Sequence, residues 1–373
     1  MIFLFILIFG VLFLFVNVRN VSPGIKGSII AGISIVILLV CLKLRTNYIA
    51  SLGMSFFSVW LCEALFLYIL WWIARGIRRA VVKKPIDRRL VVSVSRLLLF
   101  VSVVMTIVFL AIGVGNNENF KVREFKVALP TEHEFTAVFL SDLHIDPLFN
   151  REKMERIVHV CDSLHPDFVL FGGDFSDVVD STLSAWEYDL LTQKLAATAR
   201  MAAIAIDGNH EGFLEHKGND YKKWMQDNGF VVLEDSTVCT PLACFTGRID
   251  HNVAKIRDVE RKPLFDMRPP TDEAKLPWLL LDHQPRGIEE DHPGRRPDFA
   301  MSGHTHNGQF FPGTVIINWV WRLAYGLGEL DQVKWLVSSG VDSWGPPGRV
   351  GSDTEVWFLR FVPDRVWGAS VSN

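Results

Sequence analysis

The sequence predicts an N-terminal all-α transmembrane module followed by an α/β domain, a two-sheet β-sandwich flanked by helices in the order α-β-β-α. Three observations carry this. The apolar excess of a chain that is 49% hydrophobic is concentrated before about residue 120. Strand-like and helix-like segments alternate after it. Five apolar runs, FTAVFLSDLH, FVLFGGD, AAIAIDGNHE, WLLLDH and FAMSGHTH, each end in residue types that ligate metals. The domains are read as 1–118 and 119–373.

The front of the chain holds apolar runs at 2–18, 28–44, 52–74 and 97–114. Spanning a bilayer takes roughly 20 apolar residues, so the reading is four transmembrane helices. The second run, ending at Lys43 and Arg45, is short, and three helices is the alternative. The first run is expected to be retained, because MIFLFILIF has neither a basic start nor a convincing small-residue cleavage site. Arg75, Arg78, Arg79, Lys83, Lys84, Arg88, Arg89 and Arg96 lie between the third and fourth runs, and Arg19 and Lys26 lie on the same side. The positive-inside rule then puts that loop in the cytoplasm and the C-terminal domain outside an inner or plasma membrane. Glu63 falls inside the third run, where an acid is functional or is tolerated at a helix contact.

A net charge of -3 gives no support to a nucleic-acid partner, since the one basic cluster is explained by membrane topology. Cys239 and Cys244 flank a plausible turn, Thr240-Pro241-Leu242-Ala243, between short strands. An external location permits a disulfide there, and unpaired core thiols are the alternative.

After FTAVFLSD the spacing predicts a helix near 151–165, then the strand FVLFGGD, a helix near 183–200, the strand MAAIAIDGNH and a helix near 219–228. Short continuous apolar runs fit strands covered on both faces. The segments 230–250 and 333–362 read as strands with turns, supplying a second sheet. Functional groups in open α/β sheets gather beyond the carboxyl ends of strands, where Asp142, His144, Asp174, Asn209, His210, His283, His304 and His306 stand.

Carboxylate, imidazole and amide ligands without thiolate suit borderline divalent ions such as Mn, Fe or Zn. Seven ligands are too many for one ion. Two ions sharing a carboxylate would use them all and would clamp phosphoryl oxygens for in-line displacement, so the pattern reads as a dinuclear hydrolase.

The series DLH, GGDFSD, GNHE, a lone His after a strand, and GHTH resembles that of the calcineurin-like metallophosphoesterases. GHTHNGQFFP, YGLGEL and LVSSGVDSWGPPGRVG are similar to the membrane-linked branch with the YkuE-type and YaeI-type phosphodiesterases. The resemblance covers roughly residues 122–363 and implies an α/β metallophosphoesterase domain. It implies that Asp142, His144 and His306 hold a first metal, that Asn209, His283 and His304 hold a second, and that Asp174 bridges them. His210 is similar to the residue that acts as general acid or stabilises the transition state. Glu211 is expected to orient His210 or a metal ligand, and Asp177 either to orient His144 or to cap a helix. Asn307 replaces a glycine common in the branch, at a position where Asn tolerates left-handed backbone.

Asp250, which closes TGRID, has a turn role or an active-site role, and Arg248, Arg257 and Arg261 hold phosphate or pair with nearby acids. His133, His159, His165, His216, His251 and His292 lack the strand-end context and read as surface or capping residues. The segment 308–328, GQFFPGTVIINWVWRLAYGLG, reads either as a flap dipping into lipid or as a buried hydrophobic cover. In the first reading Trp319, Trp321 and Tyr325 sit at the interface with Arg322 snorkelling. The expected partners are the lipid bilayer and a phosphoester substrate, a phospholipid or lipid-linked phosphate. The alternatives are a cytoplasm-facing UDP-diacylglucosamine-type pyrophosphatase and a non-catalytic phosphate-binding membrane sensor.

Overall fold

The computed structural model describes residues 48–84, 86–288 and 292–364. The first two apolar runs, 2–18 and 28–44, lie outside the described residues. The chain divides into two compact units, one ending at Val114 and the other beginning at Gly115.

In the first unit, α1 (Tyr48–Val82) contains the third apolar run; α2 (Arg88–Glu118) contains the fourth, and its residues from Gly115 on belong to the second unit. Both helices are longer than their apolar runs, because Arg and Ala propagate a helix as well as Leu does. Arg75, Arg78 and Arg79 therefore ride the last turns of α1 and Arg88, Arg89 and Arg96 the first turns of α2. Only Lys83 and Lys84 of the basic group lie between them. The expected loop over 75–96 is thus mostly helix. Phe66, Trp72, Phe100 and Ile107 are exposed on these helices, the all-round apolar character of a membrane span or a buried helix. Among the described residues, one stretch, Arg89–Glu118, is long and apolar enough to cross a membrane by length and composition. Glu63 has a partner across the pair: Thr106 Oγ1 donates to its Oε2 at 2.7 Å, and Trp60 Nε1 donates to Ser102 Oγ at 3.0 Å.

The second unit is built on two six-stranded mixed sheets. The first contains β1 (Lys121–Leu129), β2 (Phe135–Leu140), β3 (Phe168–Phe171), β4 (Ala202–Ala205), β5 (Val231–Val232) and, from the far end of the chain, β12 (Glu355–Pro363). Its order is β1-β12-β2-β3-β4-β5, with β2 to β5 parallel. The second contains β6 (Ser236–Cys239), β7 (Cys244–Gly247), β8 (Trp278–Leu281), β9 (Phe299–Ser302), β10 (Gly326–Leu330) and β11 (Val333–Val337), in the order β10-β11-β9-β8-β7-β6. Here β7, β8, β9 and β11 are parallel and both edge strands antiparallel. Cys239 and Cys244 pair across the β6–β7 hairpin and form a disulfide.

The strand period of two separates the two cores. Along β2, Phe135, Ala137 and Phe139 face the second sheet and meet Phe168, Leu170, Phe245, Leu279, Met301 and Phe361. Val138 and Leu140 face the other way, against Met154, Ile157 and Cys161 of α3 (Arg151–Leu164). The predicted helix near 183–200 is two helices, α4 (Asp180–Ala185) and α5 (Tyr188–Ala197). Glu187 sits between them in the left-handed region, which no hydrophobic spacing discloses. The helix near 219–228 is α7 (Tyr221–Asp227). On the outer face of the second sheet, Trp278, Leu280 and Trp335 are covered by Leu264 and Met267 of a short 3₁₀ turn and by Ile288.

Candidate metal centre

All five ligand-tipped runs fold as strands that stop just short of their polar residues. β2 precedes Asp142 and His144, β3 precedes Asp174, and β4 precedes Asn209 and His210, which open α6 (Asn209–Leu214). β8 precedes His283, and β9 precedes His304 and His306. Beyond each strand the backbone turns sharply, and Asp142, His144, Asp174, His304 and His306 all have φ between 45° and 70°. Left-handed backbone costs an ordinary residue roughly 1–3 kcal/mol and gathers at functional sites. The loops close so tightly that a side chain at Gly208 would lie 2.1 Å from Asp174 Oδ1, and one at Gly303 2.2 Å from Asp142 Oδ2. Asn307 adopts φ 48° and ψ 36°, so it takes the left-handed backbone that a glycine would.

The side chains form two clusters with Asp174 between them. Asp142, His144 and His306 converge on one point, and Asp174, His283 and His304 on another. Nε2 of His144 and of His306 lie 3.1 Å apart, and His306 Nε2 is 3.6 Å from Asp142 Oδ1. Asp174 Oδ2 is 3.6 Å from His144 Nε2 in the first cluster and 3.1 Å from His283 Nε2 in the second. Asn209 Oδ1 joins the second, 3.2 Å from His283 Nε2.

Among these donors His283 and His144 are oriented as ligands of a divalent metal. His283 Nδ1 faces the carbonyl of Gly172 at 2.7 Å, and His144 Nδ1 faces Asp177 Oδ1 at 2.9 Å. Both partners accept, so each Nδ1 carries the proton and each Nε2 offers its lone pair to the cluster, the usual arrangement for a ligand imidazole. Burial disfavours charge on His144 and His283. Even so, Asp177 beside His144 raises it to about 9, and Asp174 and Asp142 raise His283 well above its ordinary value. A field that holds protons on buried imidazoles also favours a cation. Burial likewise opposes charge on Asp174, yet His283, His210 and His144 hold its carboxyl well below the ordinary range. His304 is pushed down to about 3 by burial and by the charge on His283, so it presents a neutral ring.

His210 belongs to neither of these two triads but packs beside the first, its ring 4.5 Å from that of His144, with Nε2 4.0 Å from Asp174 Oδ2 and Nδ1 2.7 Å from Asp177 Oδ1. Burial disfavours its charge, but Asp174 and Asp177 raise its pKa. Asp177 thus serves His144 and His210 together, and α4 has Val179, not Asp177, as its cap. Glu211 bonds to backbone. Its carboxylate accepts the backbone N–H groups of Asp174 at 3.1 Å, Phe175 at 2.7 Å, Ser176 at 3.2 Å and Gly208 at 2.7 Å, pinning the two loops together.

Asp250 caps α8 (His251–Ile256) through Asn252 N and accepts from Gln284 Nε2 at 2.8 Å, a turn role. Each of the three arginines has an acid partner: Arg248 has Asp235, Arg257 has Glu215 and Glu234, and Arg261 has Asp282. Arg349 escaped the sequence reading although it lies in GPPGRVG; it is fully buried and donates to His306 Nδ1 at 2.8 Å. Phe213 and Trp344, also unremarked, stand at 5.7 Å and 5.9 Å from the His210 ring.

The calcineurin-like phosphoesterase family matches residues 135–308, which contain all ten site residues. An uncharacterized metallophosphoesterase of Aquifex aeolicus is 30% identical over 241 residues, covering 61% of this chain and 85% of that protein. The chain belongs to the calcineurin-like metallophosphoesterase family. An uncharacterized metallophosphoesterase of Helicobacter pylori is 26% identical over 245 residues, or 65% of this chain, which spans 64% of that relative's length. A Danio rerio relative, named as a transmembrane protein with metallophosphoesterase domain, is 29% identical over 238 residues, 59% of this chain and 51% of its own. A metallophosphoesterase domain implies divalent metal ions, for which the Asp and His clusters are the candidate holders.

Proposed function

We propose that this chain is a membrane-anchored, dinuclear metal-dependent phosphoesterase that hydrolyses a phospholipid or lipid-linked phosphate from outside the cytoplasm. The observation that carries the enzymatic reading is Asp174 Oδ2, which stands within 3.6 Å of an imidazole nitrogen in each cluster while His210 remains outside both. Asp142, His144 and His306 would hold one ion, Asn209, His283 and His304 the other, and Asp174 both. When bound, such ions supply Lewis-acid charge to phosphoryl oxygens and make water a better nucleophile.

The protein supplies the rest. Water adds to phosphorus as the bond from phosphorus to the leaving oxygen breaks, and the departing alkoxide needs a proton. In this reading His210 gives it. Asp177 occupies Nδ1, which leaves the Nε2 proton for the leaving group, and the two nearby carboxylates keep the ring charged.

Apolar surface around the centre supports a lipid substrate. No residue of α9 (Gly313–Val320) is buried: Trp319 is 81% exposed and Val320 67%, and neighbouring Phe311 is 60%. Exposure of α9 supports the flap reading over the buried cover, although Gln309 and Ala324 of the same segment are buried. Within it the residues divide, since Trp321 meets His304 edge-on with ring centres 5.4 Å apart, Tyr325 donates to Glu355 at 2.9 Å and Arg322 pairs with Asp331 at 2.6 Å. That leaves Trp319, Val320 and Phe311 for lipid. The Danio rerio relative's name and the candidate span support anchoring. The Cys239–Cys244 disulfide supports an oxidising, external compartment.

The test is hydrolysis of p-nitrophenyl phosphate and bis-p-nitrophenyl phosphate by purified full-length protein with Mn²⁺, beside Asp174→Asn and His210→Ala. Turnover by wild type alone supports the proposal. Rates identical among all three would refute it.

A further inference from the structure

The ring of His210 has two aromatic neighbours. Phe213 stands three residues on, one turn along α6, so the two side chains share a face of the helix. Its ring centre is 5.7 Å from that of His210, and Trp344 reaches in from a distant loop to 5.9 Å, each ring meeting the imidazole edge-on. Neither belongs to a core, since Phe213 is 45% exposed and Trp344 56%. Trp344 is nonetheless held in place. Its N–H donates to Gln309 Oε1 at 3.1 Å, and Gln309 Nε2 donates back to its carbonyl at 3.1 Å, from a residue that is itself buried. Leaving large rings in water forgoes the gain of burying them. Two of them beside one histidine make an apolar wall open to solvent.

The surroundings of His304, in the second cluster, are different. Trp321 meets that ring edge-on, and the guanidinium of Arg286 lies 5.6 Å from the centre of the Trp321 ring. Arg286 is exposed, and its Nε donates to Gln284 Oε1 at 3.0 Å. Among the described residues no acid pairs with it, whereas Arg248, Arg257 and Arg261 each have one. A guanidinium with donors to spare suits phosphate oxygens. The flank by His210 is thus apolar, and the flank by His304 carries a cation.

We propose that Phe213 and Trp344 bind the alcohol that leaves, and that this alcohol is the apolar half of the substrate. The inference rests on the reading of His210 as the proton donor. A donor acts only within hydrogen-bond reach of the oxygen that departs, so whatever that oxygen carries lies beside His210 and meets its aromatic neighbours. The polar half stays on phosphorus. For a phospholipid this decides which of two ester bonds breaks. The oxygen of water joins phosphorus, the bond from phosphorus to the diacylglycerol oxygen breaks with its electron pair on oxygen, and that oxygen takes the Nε2 proton of His210. The proton that water sheds passes to solvent, from which His210 is protonated again. The products are diacylglycerol and a phosphorylated headgroup. Cleavage of the other bond would give phosphatidate and the headgroup alcohol.

The experiment gives full-length protein with Mn²⁺ the soluble diester dihexanoylphosphatidylglycerol and identifies the products by mass spectrometry. Phosphorus there joins two primary glycerol oxygens of similar leaving ability, so the protein makes the choice. Wild type should release dihexanoylglycerol and glycerol phosphate. Phe213→Ala and Trp344→Ala should each raise KM about 10-fold, with bound Mn²⁺ unchanged, and Trp344→Phe should stay near wild type. Phosphatidate and glycerol as products, or equal cleavage of both bonds, would overturn the inference while leaving the phosphoesterase reading intact. So would an unchanged KM in both alanine variants, or no turnover of this diester by protein that hydrolyses bis-p-nitrophenyl phosphate. Protein that hydrolyses neither would overturn the phosphoesterase reading itself.

Discussion

His210 Nδ1 lies 2.7 Å from Asp177 Oδ1, and that same oxygen is 2.9 Å from His144 Nδ1. One carboxylate therefore orients the proposed acid and a proposed metal ligand, so removing it disturbs two functions at once. Asp177→Asn should lower kcat for bis-p-nitrophenyl phosphate by about 10–100-fold and reduce retained metal. Adding Asp177→Asn to His210→Ala should cost less than the two separate losses combined, because part of what Asp177 does passes through His210. Steady-state kinetics on the three variants measures this, and full additivity would separate the two residues.

Glu211 makes a structural prediction. Its side chain is 3% exposed and accepts four backbone N–H groups from the loops carrying Asp174 and Gly208. Burying a donor without a partner costs about 1–3 kcal/mol. Glu211→Ala should therefore destabilise the protein by at least about 3 kcal/mol in urea unfolding, before any effect on chemistry is considered. A loss under about 1 kcal/mol would show that the loops are held by something else.

Trp319 and Trp321 should part company when each is replaced with Ala. Trp319 projects from α9 almost fully exposed, whereas Trp321 packs edge-on against His304 and lies 5.6 Å from Arg286. Trp319→Ala is expected to slow hydrolysis of a phospholipid in vesicles several-fold and to leave soluble esters alone. Trp321→Ala should slow both. Assays of each variant on both substrates decide it, and equal effects of Trp319→Ala on the two would remove the lipid role of α9.

The dependence of stability on pH should show His251. Burial, and then the charge of Arg261, push this imidazole from an ordinary 6.5 down to about 4. As pH falls the unfolded chain takes up the proton first. The contribution is whole above 6.5 and is lost progressively towards 4. Thermal unfolding between pH 7 and 4.5 should fall less steeply for His251→Asn than for wild type, and parallel curves would contradict the assignment.

The strand ends were legible because a short apolar run followed by Asp, His or Asn is a local pattern. Pairing is not local. Nothing in EVWFLRFVP announces that β12 inserts between β1 and β2, more than 200 residues away in the chain. The left-handed backbone at His144 and Asp174 was equally hidden, with only Gly172 and Gly173 before Asp174 to hint at a tight turn. Arg349 was missed because its importance comes from the carbonyls around it, and those belong to every residue type alike. The exposure of α9 was hidden because hydropathy is blind to it: the same aromatics suit a buried cover and a surface.

The central claim is metal-dependent phosphoester hydrolysis at the paired clusters, and chelation followed by titration tests it most directly. Full-length protein stripped with a chelator should hydrolyse bis-p-nitrophenyl phosphate at background rate. Activity should return with Mn²⁺ and saturate at two equivalents per chain, while Asp174→Asn stays at background throughout. Stripped protein as active as loaded protein, or loaded wild type no faster than Asp174→Asn, would contradict the account.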